Sequence, residues 1–169
     1  MKEKALFVGR FQPFHIGHLF VVKEMVKMGY HPLIVIGSAY KSHTFENPFT
    51  AGERFTMINR CLNSEKMEHT LIPVPDINRY ALWVEHLESL LPRFTTLFTN
   101  SSILQELFKE KGYEIKVPGY YRREMCKASK IRALIAEGKS WKEFVPQEVY
   151  TYIKEIKGEE RIRKAYREV

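Results

Sequence analysis

The chain has 169 residues, with 44% hydrophobic and 28% charged content and a formal net charge of +7. That length suits one domain with one substantial core, and no apolar run approaches the roughly 20 residues that span a bilayer, so a membrane protein is not expected. The start, Met1-Lys2-Glu3-Lys4, leads into few apolar residues before Arg10, so no secretory leader is expected either, and the location read from it is cytoplasmic.

Cys61 and Cys126 show neither metal-ligand spacing nor a disulfide framework. The positive charge is unevenly spread: residues 1–60 hold eight Lys/Arg against four Glu, and residues 120–169 hold thirteen against eight, while the middle is slightly acidic. Excess cations at both ends suit a polyanionic small molecule such as a nucleoside triphosphate, and would also suit nucleic acid. Asp76 is the only aspartate, which makes a two-metal carboxylate site hard to build; Mg²⁺, where it takes part, is expected to arrive with substrate phosphates.

In chain order, a short apolar strand over 4–8 runs into a turn at Gly9, and a helix follows over about 16–28, with Leu19, Val22, Met25 and Val26 on one stripe and Gly29 at its end. The continuous apolar run 31–37 reads as a parallel strand covered on both faces. Thr50-Ala51-Gly52-Glu53 has the capping-box pattern and opens a helix to about 63. A third strand over 70–74 ends at Pro75-Asp76. The next helix, about 79–91, carries Leu82, Trp83, His86 and Leu90. A strand over 95–99, a helix over 102–111 and a strand over 113–117 follow. After the basic loop 118–128 comes a short helix, about 129–137, with Ser129 as its cap and Arg132 in its first turn. Ser140-Trp141-Lys142-Glu143 reads as a second capping box, and helices near 146–157 and 159–168 complete the chain. Five strand–helix alternations with short connections predict an α/β, doubly wound parallel sheet of five strands with helices on both faces and a helical C-terminal segment. Ligands in such a fold bind beyond the carboxyl ends of the strands, near the switch in strand order. The ends of the first three strands and the loop after the fifth are the places to look.

The stretch Gly9-Arg10-Phe11-Gln12-Pro13-Phe14-His15-Ile16-Gly17-His18 joins a strand to a helix N-terminus. The first N–H groups of that helix have no internal partner and carry partial positive charge, so the turn is an anion site. His15 and His18 bracket Gly17 and can both offer a ring N–H to a phosphate oxygen, neutral or protonated. Gly9 and Gly17 leave room for close approach. Lys127-Ala128-Ser129-Lys130-Ile131-Arg132 is a second helix start with a hydroxyl and a guanidinium aimed at an anion.

His15-Ile16-Gly17-His18 resembles the signature shared by nucleotidylyltransferases and class I aminoacyl-tRNA synthetases. The longer form from Gly9 to His18 resembles the archaeal-type nicotinamide-nucleotide adenylyltransferases in particular. The likeness continues through Gly37-Ser38-Ala39, Ser42-His43-Thr44, residues 47–54, Ile72-Pro73-Val74, Asp76-Ile77 and Ala81-Leu82-Trp83-Val84. It implies a Rossmann-like nucleotidylyltransferase domain over 1–169 that joins ATP and nicotinamide mononucleotide (NMN) to give NAD and pyrophosphate, with a homo-oligomeric state. By the same resemblance, His15, His18 and Arg132 are the catalytic residues. Gly9, Arg10, Phe11, Gly17, Ser129 and Arg132 bind ATP, while Ser38, Arg54, Asp76, Tyr80 and Trp83 bind the acceptor, with Trp83 stacked on the nicotinamide ring. No membrane or nucleic-acid partner is expected.

The sequence departs from the family at two places. Tyr80 stands where the family has an asparagine, and Lys127-Ala128 replace a Ser-Gly pair. Together they keep two other acceptors open, nicotinate mononucleotide and flavin mononucleotide. The basic C-terminal fifty residues keep open a non-catalytic nucleotide or nucleic-acid binder, which predicts steeply salt-dependent binding.

Overall fold

The structure is a computed structural model and describes residues 1–122 and 126–169; residues 123–125 of the basic loop lie outside the described residues. Five strands, β1 (Lys4–Gly9), β2 (His31–Ile36), β3 (Thr70–Pro73), β4 (Thr96–Phe98) and β5 (Glu114–Lys116), form one parallel sheet in the order β3-β2-β1-β4-β5. Among the described residues the helices are α1 (Ile16–Lys27), α2 (Ala51–Ser64), α3 (Trp83–Leu90), α4 (Ser102–Glu110), α5 (Ala128–Ala136), α6 (Gln147–Glu155) and α7 (Gly158–Arg167).

Side chains alternate across the sheet because successive strand residues point to opposite faces. Ala5, Phe7, Ile34, Ile36 and Phe98 pack with α1, α2 and the C-terminal helices; Leu6, Leu33, Val35 and Leu97 pack with α3 and α4. Both faces are therefore covered, as the unbroken apolar run of β2 demands. The strand order turns back at β1. The chain leaves β1 toward one face and β4 toward the other, which opens a crevice beyond their carboxyl ends.

The expected capping box at α2 is present: Thr50 Oγ1 accepts from Glu53 N at 3.1 Å, and Glu53 Oε2 accepts from Thr50 N at 3.1 Å. Glu53 also binds Arg161 of α7 through both carboxylate oxygens, and Arg161 donates to Pro48 O. One carboxylate thus ties the start of α2 to the end of the chain. Glu53→Ala is expected to cost about 2 kcal/mol of stability, from a lost cap and a lost bidentate pair. Urea unfolding measures it, and a change below about 0.5 kcal/mol would show the tie to be incidental.

Three local expectations are corrected. The helix expected over about 79–91 is shorter: α3 itself covers Trp83–Leu90, with Val84 and Leu87 buried and Leu82 and Leu90 exposed. The segment before it winds as a 3₁₀ turn over Tyr80–Leu82, tighter than the α-helix that follows. The second capping box does not form. Trp141 is buried with its indole N–H on Glu159 Oε1 at 2.6 Å, and residues 142–144 make a 3₁₀ turn without a side-chain cap. Finally, Lys127, not Ser129, occupies the cap position of α5, which makes no side-chain cap bond; Ser129 lies inside the first turn and Arg132 in the second.

Candidate active site

Two cavities open at the crevice, of about 420 and 440 Å³, and both are lined by Val8 at the end of β1. The larger holds the β1–α1 turn, Thr99 and Asn100 after β4, residues 118–121 after β5, and the start of α5. The smaller is lined by Asp76 to Tyr80, Trp83, Ser101, Ile103 and Leu104. The end of β4 therefore contributes to both walls, a place the motifs did not mark.

The two histidines of the turn are locked to each other and to the helix start. His15 is the cap residue of α1, and its Nδ1 accepts from Gly17 N at 3.1 Å and His18 N at 3.3 Å; His18 Nδ1 accepts from His15 N at 3.1 Å. The pair is a capping box written in imidazoles. A backbone N–H can only donate, so neither Nδ1 carries a proton, and each neutral ring keeps its hydrogen on Nε2. Burial pulls the His15 pKa down to about 4, and burial together with His15 holds His18 well below its ordinary value. The rings stack at 3.5 Å between centroids, and Phe11 meets His18 edge-on at 4.8 Å. Two Nε2–H donors are thus held by groups that cannot swing away.

The glycines serve this packing directly. A Cβ on Gly17 would lie 2.9 Å from His15 Cε1, and one on Gly9 would lie 2.7 Å from the Phe11 ring. Close approach is needed by the motif's own rings, and Gly9 is not on the cavity wall. Phe11 is buried at a φ of +54° and lines the cavity beneath His18.

Arg10 and Arg132 bring positive charge to the same wall. Arg10 Nη1 donates to Asn47 Oδ1 at 3.2 Å. Arg132 is buried, donates from Nη1 to Gln12 O at 2.9 Å, and has no protein partner for Nε. Burial, then the nearby Arg10, lowers its pKa to about 10, so it stays charged at neutral pH. Gln12 in turn exchanges two hydrogen bonds with the backbone of Phe49, at 2.9 and 3.0 Å, which fixes the carbonyl that Arg132 holds. Gln12 belongs to the β1–α1 motif, and no local pattern marks this supporting role. Ser129 and Lys127 complete this end of the wall.

In the smaller cavity, Asp76, Tyr80 and Trp83 come together as expected. Asp76 does not cap the following turn; its carboxylate pairs with Lys41 at 3.5 Å. The Trp83 ring lies against His86 at 5.6 Å, and His86 Nε2 donates to Pro75 O at 3.1 Å, so the indole has a tethered backing.

Ser38 and Arg54 are on neither wall. Arg54 is fully buried and donates to the carbonyls of Thr50, Arg10, Gly37 and Ser38 at 2.7 to 3.2 Å. It clamps the β1 and β2 turns together from below, and burial lowers its pKa to about 10. Both were expected at the acceptor; in the structure they lie under the site, where Arg54 holds the carbonyls of the two turns.

Known proteins share the sequence and the fold of this chain. Residues 6–167 match the cytidylyltransferase-like family. The chain is 44% identical over 165 residues to the nicotinamide-nucleotide adenylyltransferase of Pyrococcus furiosus, covering 95% of this chain and 88% of that one. It is 45% identical over 161 residues to the enzyme of that name from Methanococcus maripaludis, covering 95% and 94%. A bifunctional NMN adenylyltransferase/ADP ribose pyrophosphatase from Francisella tularensis, solved with AMP and a manganese ion, shares the fold with a TM-score of 0.77 at 19% identity. That match covers 97% of this chain, which spans about half the length of the Francisella chain. Among the described residues no helix is long and apolar enough to cross a membrane. From β1 to the last helix, the chain belongs to the cytidylyltransferase-like family, with the archaeal nicotinamide-nucleotide adenylyltransferases as its relatives.

Proposed function

We propose that this protein transfers the adenylyl group of ATP to NMN, forming NAD and releasing pyrophosphate. The observation that carries the reading is the meeting of two unlike cavities at Val8, one lined by N–H donors and cations, the other by an aromatic face. An oxygen of the NMN phosphate attacks the α-phosphorus, and the bond to the β-phosphate oxygen breaks in line. The nucleophile belongs to the substrate, so the protein needs no covalent intermediate; its work is positioning and charge stabilisation. The Nε2–H groups of His15 and His18, with Arg10 and Arg132, hold the phosphate oxygens as charge moves onto the leaving pyrophosphate. Among the described residues the larger cavity is lined by cations, amides and aromatic rings and by no carboxylate, which fits Mg²⁺ entering bound to the phosphates of ATP, as part of the substrate.

Trp83 offers its face to the cationic pyridinium of NMN, with Asp76 as a nearby negative charge. Trp83→Ala is expected to raise KM for NMN about tenfold, at the upper end of a cation–π contact, with the KM for ATP nearly unchanged. A matched rise in both constants would place Trp83 in the fold instead. The deciding experiment for the function is NAD and pyrophosphate production from ATP and NMN, run beside nicotinate mononucleotide and flavin mononucleotide. NMN is expected to be used best, and absence of NAD formation would overturn the reading.

A further inference from the structure

Among the described residues, two buried side-chain atoms lack a hydrogen-bond partner: Arg132 Nε and Asn100 Oδ1. Both residues line the larger cavity, and they are opposite in kind. The arginine nitrogen is a donor and fits a phosphate oxygen. The amide oxygen can only accept, and a triphosphate at neutral pH has no proton to give it. The amide cannot be read the other way round, because Asn100 Nδ2 donates to Gly119 O at 2.8 Å. The backbone beneath it is also held. Ser101 N donates to Thr99 Oγ1 at 3.0 Å, and Gln105 Nε2 donates to Thr99 O at 3.4 Å. An acceptor fixed this firmly in a cavity wall calls for a donor on the ligand, since a buried polar atom left unpaired is costly.

The position along the ligand follows from connectivity, given the ATP reading above. The acceptor phosphate comes from the smaller cavity, whose wall begins at Ser101, next in sequence to Asn100. The α-phosphorus must lie where the cavities meet. The group bonded to it on the nucleoside side is the ribose, and Pro118, Tyr120 and Tyr121 carry the wall onward as apolar and aromatic surface suited to the base. We infer that Asn100 Oδ1 accepts a hydrogen bond from a ribose hydroxyl of ATP and makes the enzyme select ribonucleotides over deoxyribonucleotides. Asn100 is a specificity residue; it takes no part in the bond changes at phosphorus.

The test compares kcat/KM for ATP, 2′-deoxy-ATP, 3′-deoxy-ATP and purine riboside triphosphate, which lacks the 6-amino group, at fixed NMN, in the wild type, Asn100→Ala and Asn100→Ser. In the wild type one deoxy analogue is expected to fall at least about tenfold behind ATP, the size of a selective hydrogen bond to a site built for it. In both variants that gap closes to about twofold, while any gap for purine riboside triphosphate is unchanged. A purely structural role for Asn100 would lower all four substrates together and keep their ratios. The inference is overturned by equal use of ATP and both deoxy analogues in the wild type, by a gap that survives both substitutions, or by closure of the purine riboside gap in its place. Equilibrium titration of the same nucleotides gives the comparison without turnover, so failure of the sugar contact and failure of the transfer reading are separate results.

Discussion

His15→Asn and His18→Gln should each lower kcat about a hundredfold while α1 keeps its start. The substitutions are chosen to preserve the cap. Asparagine is among the best N-cap residues, and glutamine three residues on completes a capping box through its amide oxygen. Both variants replace the rigid imidazole, whose Nε2–H is set at the cavity by the partner on Nδ1, with a shorter or more flexible amide whose NH₂ has no such fixed direction. One preorganised donor facing developing charge contributes on the order of 10²–10³ in kcat. Turnover at saturating ATP and NMN, beside the urea midpoint of each variant, separates the two roles. Near-normal kcat would mean that the histidines only cap the helix.

The same geometry makes stability depend on pH. His15 has a folded pKa of about 4 against an ordinary value of 6.5, so between these values the unfolded chain binds more protons than the folded one. Stability is therefore complete above about pH 6.5 and falls as pH drops toward 4, by an amount on the order of 3 kcal/mol for this group. His15→Asn should flatten that slope in the ligand-free protein.

Arg132→Met should abolish most activity, by about 10³ in kcat/KM, and leave stability within about 1 kcal/mol of wild type. The guanidinium is buried beside another arginine, with Nε unpartnered and one bond to Gln12 O. Methionine fills a similar shape and removes a buried like-charge neighbour, which offsets the lost bond. The loss of activity should therefore come without a loss of fold, the pattern of a residue kept for its ligand. Saturating ATP should raise the Tm of the wild type and raise that of the variant much less. A large drop in Tm without ligand, with normal kcat per folded molecule, would make Arg132 a structural residue.

Much of this protein was legible in the chain itself. The apolar run of β2, the Thr50–Glu53 box and the Gly29 stop are local signals carried within a few residues, and each formed as read. The β1–α1 turn declared an anion site because cap chemistry is local too, and its likeness to a known family extended that to a reaction. Even local signals failed where packing overrode them. Trp141 left its expected cap pattern because its indole is better placed in the core with its N–H on Glu159.

The destination of a long side chain was not legible, since its partners lie far away in sequence. Arg54 looked like a substrate arginine and became the clamp under two turns, with carbonyls 16 and 44 residues away. Asn100 has no motif around it, and only the register of β4 beside β1 and the loop at Gly119 brings it to the cavity. The protonation of the two histidines was open in the sequence, because an imidazole can donate in either state. The folded turn decided it by aiming the backbone N–H groups of residues 15, 17 and 18 at the two Nδ1 atoms, which a proton there would repel. Residue types and local order determined which chemistry this chain can carry; the folded contacts decided which copies of those residues face the ligand.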